Sequence, residues 1–69
     1  MYTLVGVDGN AYAIMGYTQR AMRQSGFSKD EIDQMLAEAT SGDYYNLIAV
    51  CNGWIDKCNE RVGEEDEDE

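Results

Sequence analysis

The chain has no histidine, one tryptophan, one phenylalanine and two cysteines, and only five Lys or Arg residues against 14 Asp or Glu. Without histidine the common base of nucleophilic catalysis is missing. A structural zinc site lacks support as well, because there is neither a histidine nor a Cys-x-x-Cys pair. The scarcity of cations and the net charge of −9 exclude ordinary electrostatic binding of nucleic acid, which needs clustered Lys and Arg. Apolar runs fall far short of the roughly 18 residues that a membrane span requires, and the chain opens on a strand-like segment. The expectation is a cytoplasmic protein with no membrane contact.

Length sets the next bound. A chain of 69 residues holds one domain, and at this size a single core rarely contributes more than about 3 to 5 kcal/mol of net stability. Disulfides are a usual remedy. Cys51 and Cys58, however, lie seven apart within one expected helix, roughly 10 Å along its axis, whereas bridged Cα atoms must come within about 7 Å. They read as reduced, buried, apolar thiols.

The charge is unevenly placed. Residues 64 to 69, Glu-Glu-Asp-Glu-Asp-Glu, carry six negative charges, leaving 8 acidic against 5 basic residues, or −3, for residues 1–63. Six like charges in a row repel one another and have nothing to bury, so residues 63–69 are expected to form a disordered acidic tail on a domain of residues 1–62. Such a tail solubilises, and it leaves open the binding of a basic protein surface.

Along the chain, residues 2–7 have the β-branched and aromatic content of a strand. Asp8-Gly9-Asn10 supplies a turn with two possible continuations: a hairpin making Ala11–Met15 a second strand, or a helix capped by Asn10. The helix is favoured, since Ile14, Tyr17, Thr18, Ala21 and Met22 recur at helical spacing. Gly26 marks its end, with Phe27 covering Met22. Ser28-Lys29-Asp30-Glu31 is a capping box, with Phe27 and Ile32 placed as its hydrophobic staple. The second helix, Lys29 to about Thr40, turns Ile32, Met35, Leu36 and Ala39 to one face and is stopped by Gly42. Asp43 caps a third, central helix with apolar positions Tyr44, Leu47, Ile48, Cys51, Trp54, Ile55, Cys58 and Val62. The expected fold is mostly α: an N-terminal β-strand followed by a compact three-helix domain and the acidic tail. A lone strand leaves backbone groups unpaired, so a homodimer through residues 2–7 is the favoured way to pair it.

No constellation suggests catalysis. Asp30, Glu31 and Asp33 occupy the first turn of a helix, where negative charge favours the macrodipole. Asp56 and Glu60, interleaved with Lys57 and Arg61, describe a solvated face. No catalytic residue, metal ligand or cofactor is expected, and the chain is not read as an enzyme. Two sets of residues are candidates for binding. One is an anion site at the helix end capped by Asn10, with Arg20 and Arg23 about 15 Å further on, which a second copy would have to bring closer. The other is aromatic: Tyr12 and Tyr45 fall off the apolar stripes, and exposed tyrosines are favoured interface anchors.

The stretch Gly9-Asn10-Ala11-Tyr12-Ala13-Ile14-Met15-Gly16, then Arg20-Ala21-Met22-Arg23 and Ala39-Thr40-Ser41-Gly42-Asp43-Tyr44, resembles a group of small uncharacterised accessory proteins of tailed bacteriophages, over about residues 6 to 56. The acidic tail departs from that group. The resemblance implies no assigned activity; it implies a setting in the host cytoplasm, where such proteins bind host enzymes or defence systems, or sequester small nucleotides. The leading expectation is therefore a binding protein that occupies and inhibits or modulates a host protein, such as a nucleic-acid enzyme or a defence component of the anti-CRISPR-target kind. The alternatives are an oligomer capturing a small anionic ligand or nucleotide between subunits, and a structural or assembly role.

Overall fold

A computed structural model describes the backbone of residues 1–67 and the side chains of residues 1–63. Three helices make up the domain: α1 (Ala11–Gln24), α2 (Lys29–Ala39) and α3 (Tyr44–Glu67). Their ends are built by local chemistry. The Asn10 side chain accepts from the Ala13 N–H at 2.9 Å, which satisfies a donor that the first turn leaves free. At the other end of α1, Gly26 takes φ +87°. The Phe27 N–H donates to the Met22 carbonyl and the Gly26 N–H to the Arg23 carbonyl, the two bonds of a Schellman ending. Ser28 and Glu31 close the capping box in both directions, and the Asp43 carboxylate accepts from the Asn46 N–H at 2.9 Å to open α3.

The end of α2 corrects one expectation. Thr40 is its last cap, with its hydroxyl donating to the Leu36 carbonyl, while Gly42 keeps an ordinary negative φ. What Gly42 provides is room: a Cβ there would lie 3.0 Å from Asn46 Cβ. Asn46 needs that position because its side-chain amide donates to the Glu38 carbonyl at 2.9 Å, tying the start of α3 to the end of α2.

No strand exists among the described residues, so the expected N-terminal strand, the hairpin alternative included, is not formed. Residues 1–9 instead run as an irregular segment against the helices. A turn closes with the Val7 N–H donating to the Leu4 carbonyl at 3.1 Å, and its third residue, Gly6, has φ +86°, the value a type II turn requires. Side chains rather than a second strand pair with part of the segment's backbone. Asn59 on α3 bonds both the N–H and the carbonyl of Tyr2, the Tyr17 hydroxyl accepts from the Thr3 N–H, and Thr3 Oγ1 accepts from the Val5 N–H. Without a strand there is no strand edge to pair, so that reason for a dimer through residues 2–7 is gone.

α3 is the central element, packed against both other helices. The buried residues are Ile14, Thr18, Ala21 and Met22 on α1, Ser25 at its C-terminal cap, Ile32, Met35 and Ala39 on α2, and Leu47, Cys51, Trp54, Ile55 and Cys58 on α3. Tyr2, Leu4 and Val7 of the N-terminal segment pack onto this core from outside. Where α1 meets α3 the facing residues are small, Thr18 beside Cys51 and Ser25 beside Cys58, which lets the two helices approach closely. The Thr18 hydroxyl is satisfied by donating to the Ile14 carbonyl. Ser25 Oγ is buried without a well-directed partner; its neighbour, the Cys58 thiol, is a weak one. Both cysteines are free and buried. Burial pushes both thiols up, opposed by the Thr18 hydroxyl at Cys51 and by Ser25 and the Arg61 charge at Cys58.

The tail expected over residues 63–69 falls partly on α3, whose helical backbone runs to Glu67, and partly on Asp68 and Glu69, which lie outside the described residues. Among the described residues no helix is long and apolar enough to cross a membrane.

Candidate interaction surface

The five residues singled out from the sequence are not brought together. Asn10 Oδ1 caps α1, and its N–H and side-chain amide both donate to Asp8 Oδ1, at 3.1 and 3.2 Å. The positive end of α1 therefore already faces a carboxylate. Arg20 is exposed one turn beyond Gly16, its Nη1 3.9 Å from where a Cβ on that glycine would sit. Arg23 lines a cleft with Gln19, Phe27, Lys29, Ile32 and Asp33. These arginines are ten and thirteen residues past Asn10, about 15 to 20 Å along the axis, so one chain does not assemble the anion site.

The two tyrosines fare differently. Tyr12 is 85% and Tyr45 82% exposed, as their positions off the apolar stripes suggest. Tyr44, expected in the core, is 45% exposed and joins them. Its ring packs edge-on against Tyr45, with centroids 6.5 Å apart at 76°, and its hydroxyl donates to the Gly9 carbonyl. Tyr44 is exposed because the first position of α3 meets the loop before α1 instead of a helix face. Val5, assigned from the sequence to the strand, stands 86% exposed on the N-terminal turn.

Tyr44 is also a shared wall of two open clefts. One, of about 390 Å³, is lined by Ala11, Tyr12, Met15, Ala39, Thr40, Gly42, Asp43 and Leu47. The other, of about 360 Å³, is lined by Thr3, Leu4, Val5, Val7, Gly9, Ile14, Ile48 and Asn52. Neither cleft is lined by Lys or Arg, while Asp43 borders the first and Asp8 sits between lining residues of the second. Exposed aromatic and aliphatic groups with only carboxylates among the charged neighbours can desolvate an apolar partner and attract a basic one.

The cations lie toward the other end of the domain. Arg61 stacks 3.8 Å from the Phe27 ring and donates to the Ser25 carbonyl at 3.2 Å, and Lys57 sits 4.1 Å from the Trp54 ring. Phe27 meets Trp54 edge-on at 5.6 Å and 88°. Phe27 is thus half-buried under Arg61. Trp54 is buried and donates through Nε1 to Glu38 at 3.2 Å. Glu31 lies close enough to this group that Arg61 and Lys57 help to lower its carboxyl, after the larger effect of its hydrogen bonds with Ser28. The sequence placed Lys57 three residues past Trp54, a spacing that puts both on one helix face. Arg61 over Phe27 depends on how α1 and α3 meet, and no local pattern announces it. Among the described residues, no group of three or more His, Cys, Asp or Glu side chains is placed to hold a metal ion.

Comparison with protein families, with curated proteins and with solved structures finds no match for this chain.

Proposed function

We propose that the protein acts by occupying a partner protein through the surface formed by Val5, Tyr12, Tyr44 and Tyr45. The observation that carries this reading is the exposure of three tyrosines and a valine around two apolar clefts, on a chain small enough to hide them. Exposed apolar groups gathered at one place mark interaction sites more often than the same groups scattered singly. A standard interface covers about 800 Å² per partner, so one partner would cover a little under a fifth of a total surface of 4518 Å².

In its narrower form, the partner is a host protein with a basic surface, such as a nucleic-acid enzyme or a defence component. The negative charge and the resemblance to phage accessory proteins support that form. A photo-crosslinking residue at position 45, compared with one at the exposed Gln34 on α2, tests the reading in host cells. It is supported if position 45 captures one protein that position 34 does not, and if Tyr12→Ala removes that capture. Equal capture at both positions overturns it. Loss of the captured complex at raised salt supports a basic partner surface, and a salt-insensitive complex removes the electrostatic part.

A further inference from the structure

Phe27 is a shared wall of two further clefts, and four of the chain's five Lys and Arg residues line them: Lys57 and Arg61 in one, Arg23 and Lys29 in the other. Two carboxylates stand among them, Glu60 in the first and Asp33 in the second. The Lys29–Asp33 pair, at 3.2 Å, is exposed on both sides, 88% and 56%, so it holds Lys29 only weakly. Arg61 lies over the Phe27 ring and donates to the Ser25 carbonyl, a bond that fixes the guanidinium while using one of its five N–H donors. The same chain carries the complementary group, since residues 64–69 are six consecutive carboxylates in sequence. We infer that residues 64–69 of a second copy dock on the cationic face around Phe27, each copy giving its acidic segment to the other in a two-fold pair.

Geometry sends the segment to another copy. The helical backbone of α3 continues from Arg61 to Glu67, about 9 Å further along its axis, and a helix cannot return its own end to Arg23 and Lys29 on the α1–α2 side of Phe27. Charge then sets the conditions. Two copies of net charge −9 repel at long range. At about 0.15 M salt the Debye length is about 8 Å, which screens the bodies from each other and leaves contacts at ion-pair distance in place. At about 1 M it is about 3 Å, and the contacts weaken as well. Association should therefore be strongest at intermediate salt, whereas an apolar interface between like-charged copies tightens steadily as screening grows. The tyrosine surface takes no part in this contact, so the inference is independent of the reading above.

The test is sedimentation velocity on the full chain at about 0.01, 0.15 and 1 M sodium chloride. The expected result is a dimer at the middle concentration, with Kd of about 0.1 to 1 mM, and an affinity lower by about fivefold or more at either extreme. Two full-length variants each remove one half of the contact. One carries Glu64→Gln, Glu65→Gln, Asp66→Asn, Glu67→Gln, Asp68→Asn and Glu69→Gln together; the other carries Lys29→Glu and Lys57→Glu, both at exposed positions. Each alone should be monomeric, and an equal mixture should associate again, because one acidic segment and one cationic face remain between them. The peptide Glu-Glu-Asp-Glu-Asp-Glu, added to the ¹⁵N-labelled six-amide variant, reads the cationic face with its residues intact. It should shift Arg23, Phe27, Lys29 and Arg61 saturably and leave Tyr12 and Tyr45 in place. Wild-type protein that stays monomeric at all three salt concentrations overturns the inference, and so does a dimer that persists in either variant alone. Association that rises through the whole salt series assigns the dimer to an apolar surface instead. Equal shifts with inorganic phosphate at matched ionic strength would make the face a small-anion site and likewise overturn it.

Discussion

Asn59 holds the backbone of Tyr2 at both polar groups, accepting from its N–H at 2.7 Å and donating to its carbonyl at 2.8 Å across 57 residues of sequence. One amide side chain thus performs the pairing that a neighbouring strand would otherwise supply. Asn59→Ala removes both bonds, and because the Tyr2 groups are only part-buried, water replaces part of what is lost. We expect a cost of about 1 to 2 kcal/mol in urea unfolding. Hydrogen exchange should accelerate sharply at Tyr2 and Thr3 and little at Met22 or Met35. Asn59→Asp should cost at least as much at neutral pH, since its carboxylate accepts from the N–H but opposes the carbonyl. Its deficit relative to Asn59→Ala should shrink in acid, where the protonated side chain donates again.

Gly6 and Gly53 should respond in opposite directions to the same change. Gly6 has φ +86° with open space around it, so alanine there meets backbone strain and no clash, at about 1 to 2 kcal/mol. Gly53 lies within α3, also with nothing near a would-be Cβ. There alanine should stabilise by roughly 0.5 to 1 kcal/mol, because it restricts the unfolded chain and suits a helix. Thermal unfolding of the two variants side by side would show a lowered and a raised midpoint. A lowered midpoint for Gly53→Ala would mean that α3 is not helical there in solution.

These two glycines also show what could be read from the sequence. Helix ends were legible because their chemistry is local: Asn10, Ser28 with Glu31, Asp43 and Gly26 each act within four residues of their own position. Residues 2–7 were misread because β-branched content says only that a segment suits a half-buried extended surface. The decision lay with Asn59 and Tyr17, far away in sequence, and with Gly6, whose turn was hidden inside an apparently strand-like run. Tyr12 and Tyr45 were identified from the helical stripes, whereas Tyr44 and Val5 were not, since their exposure depends on where the N-terminal segment lies. Within one chain the anion site is not assembled, because the α1 end at Asn10 faces Asp8, and Arg20 and Arg23 lie far along the helix from it.

Glu31 makes part of the stability sensitive to acid. Its carboxyl is lowered first by the bond from the Ser28 backbone, then by the Ser28 hydroxyl, with smaller help from Arg61 and Lys57. A carboxyl lowered by folding stabilises the native state above its ordinary value, and that contribution disappears as pH falls through the lowered one. Glu31→Gln retains an acceptor for the capping box and loses the charge. The urea midpoint of the wild type should exceed that of Glu31→Gln near neutrality, and the gap should close as pH drops from about 5 toward 3. A gap that persists in acid would show that the carboxylate charge contributes nothing.

Thiol chemistry provides a readout of opening. Cys51 and Cys58 are buried and their thiols are raised by desolvation, so little thiolate is available to an alkylating reagent in the native state. Reaction must wait for opening, and if that takes about 3 kcal/mol or more it is slowed on the order of a hundredfold against an unfolded control. Mass spectrometry with a pulse of iodoacetamide should find both sites modified together, because both lie in the seam between α1 and α3. Fast modification of Cys58 alone would mean that the end of α3 opens independently of that seam.

The tyrosine surface yields a prediction in which stability and binding separate. Tyr12 and Tyr45 are more than four-fifths exposed and make no described hydrogen bond through their side chains, so alanine at either should change stability by no more than about 0.5 kcal/mol. Tyr44 differs, since its hydroxyl ties the loop before α1 to the start of α3. Tyr44→Phe keeps the ring that walls both clefts and removes the tie, at about 0.5 to 1.5 kcal/mol. If the surface serves binding, Tyr12→Ala and Tyr45→Ala should lose partner capture while their urea midpoints stay in place, and Tyr44→Phe should lose stability while capture by the folded fraction persists. The opposite pattern, with capture following the unfolding midpoint across all three variants, would mean that these tyrosines stabilise the domain and recognise nothing.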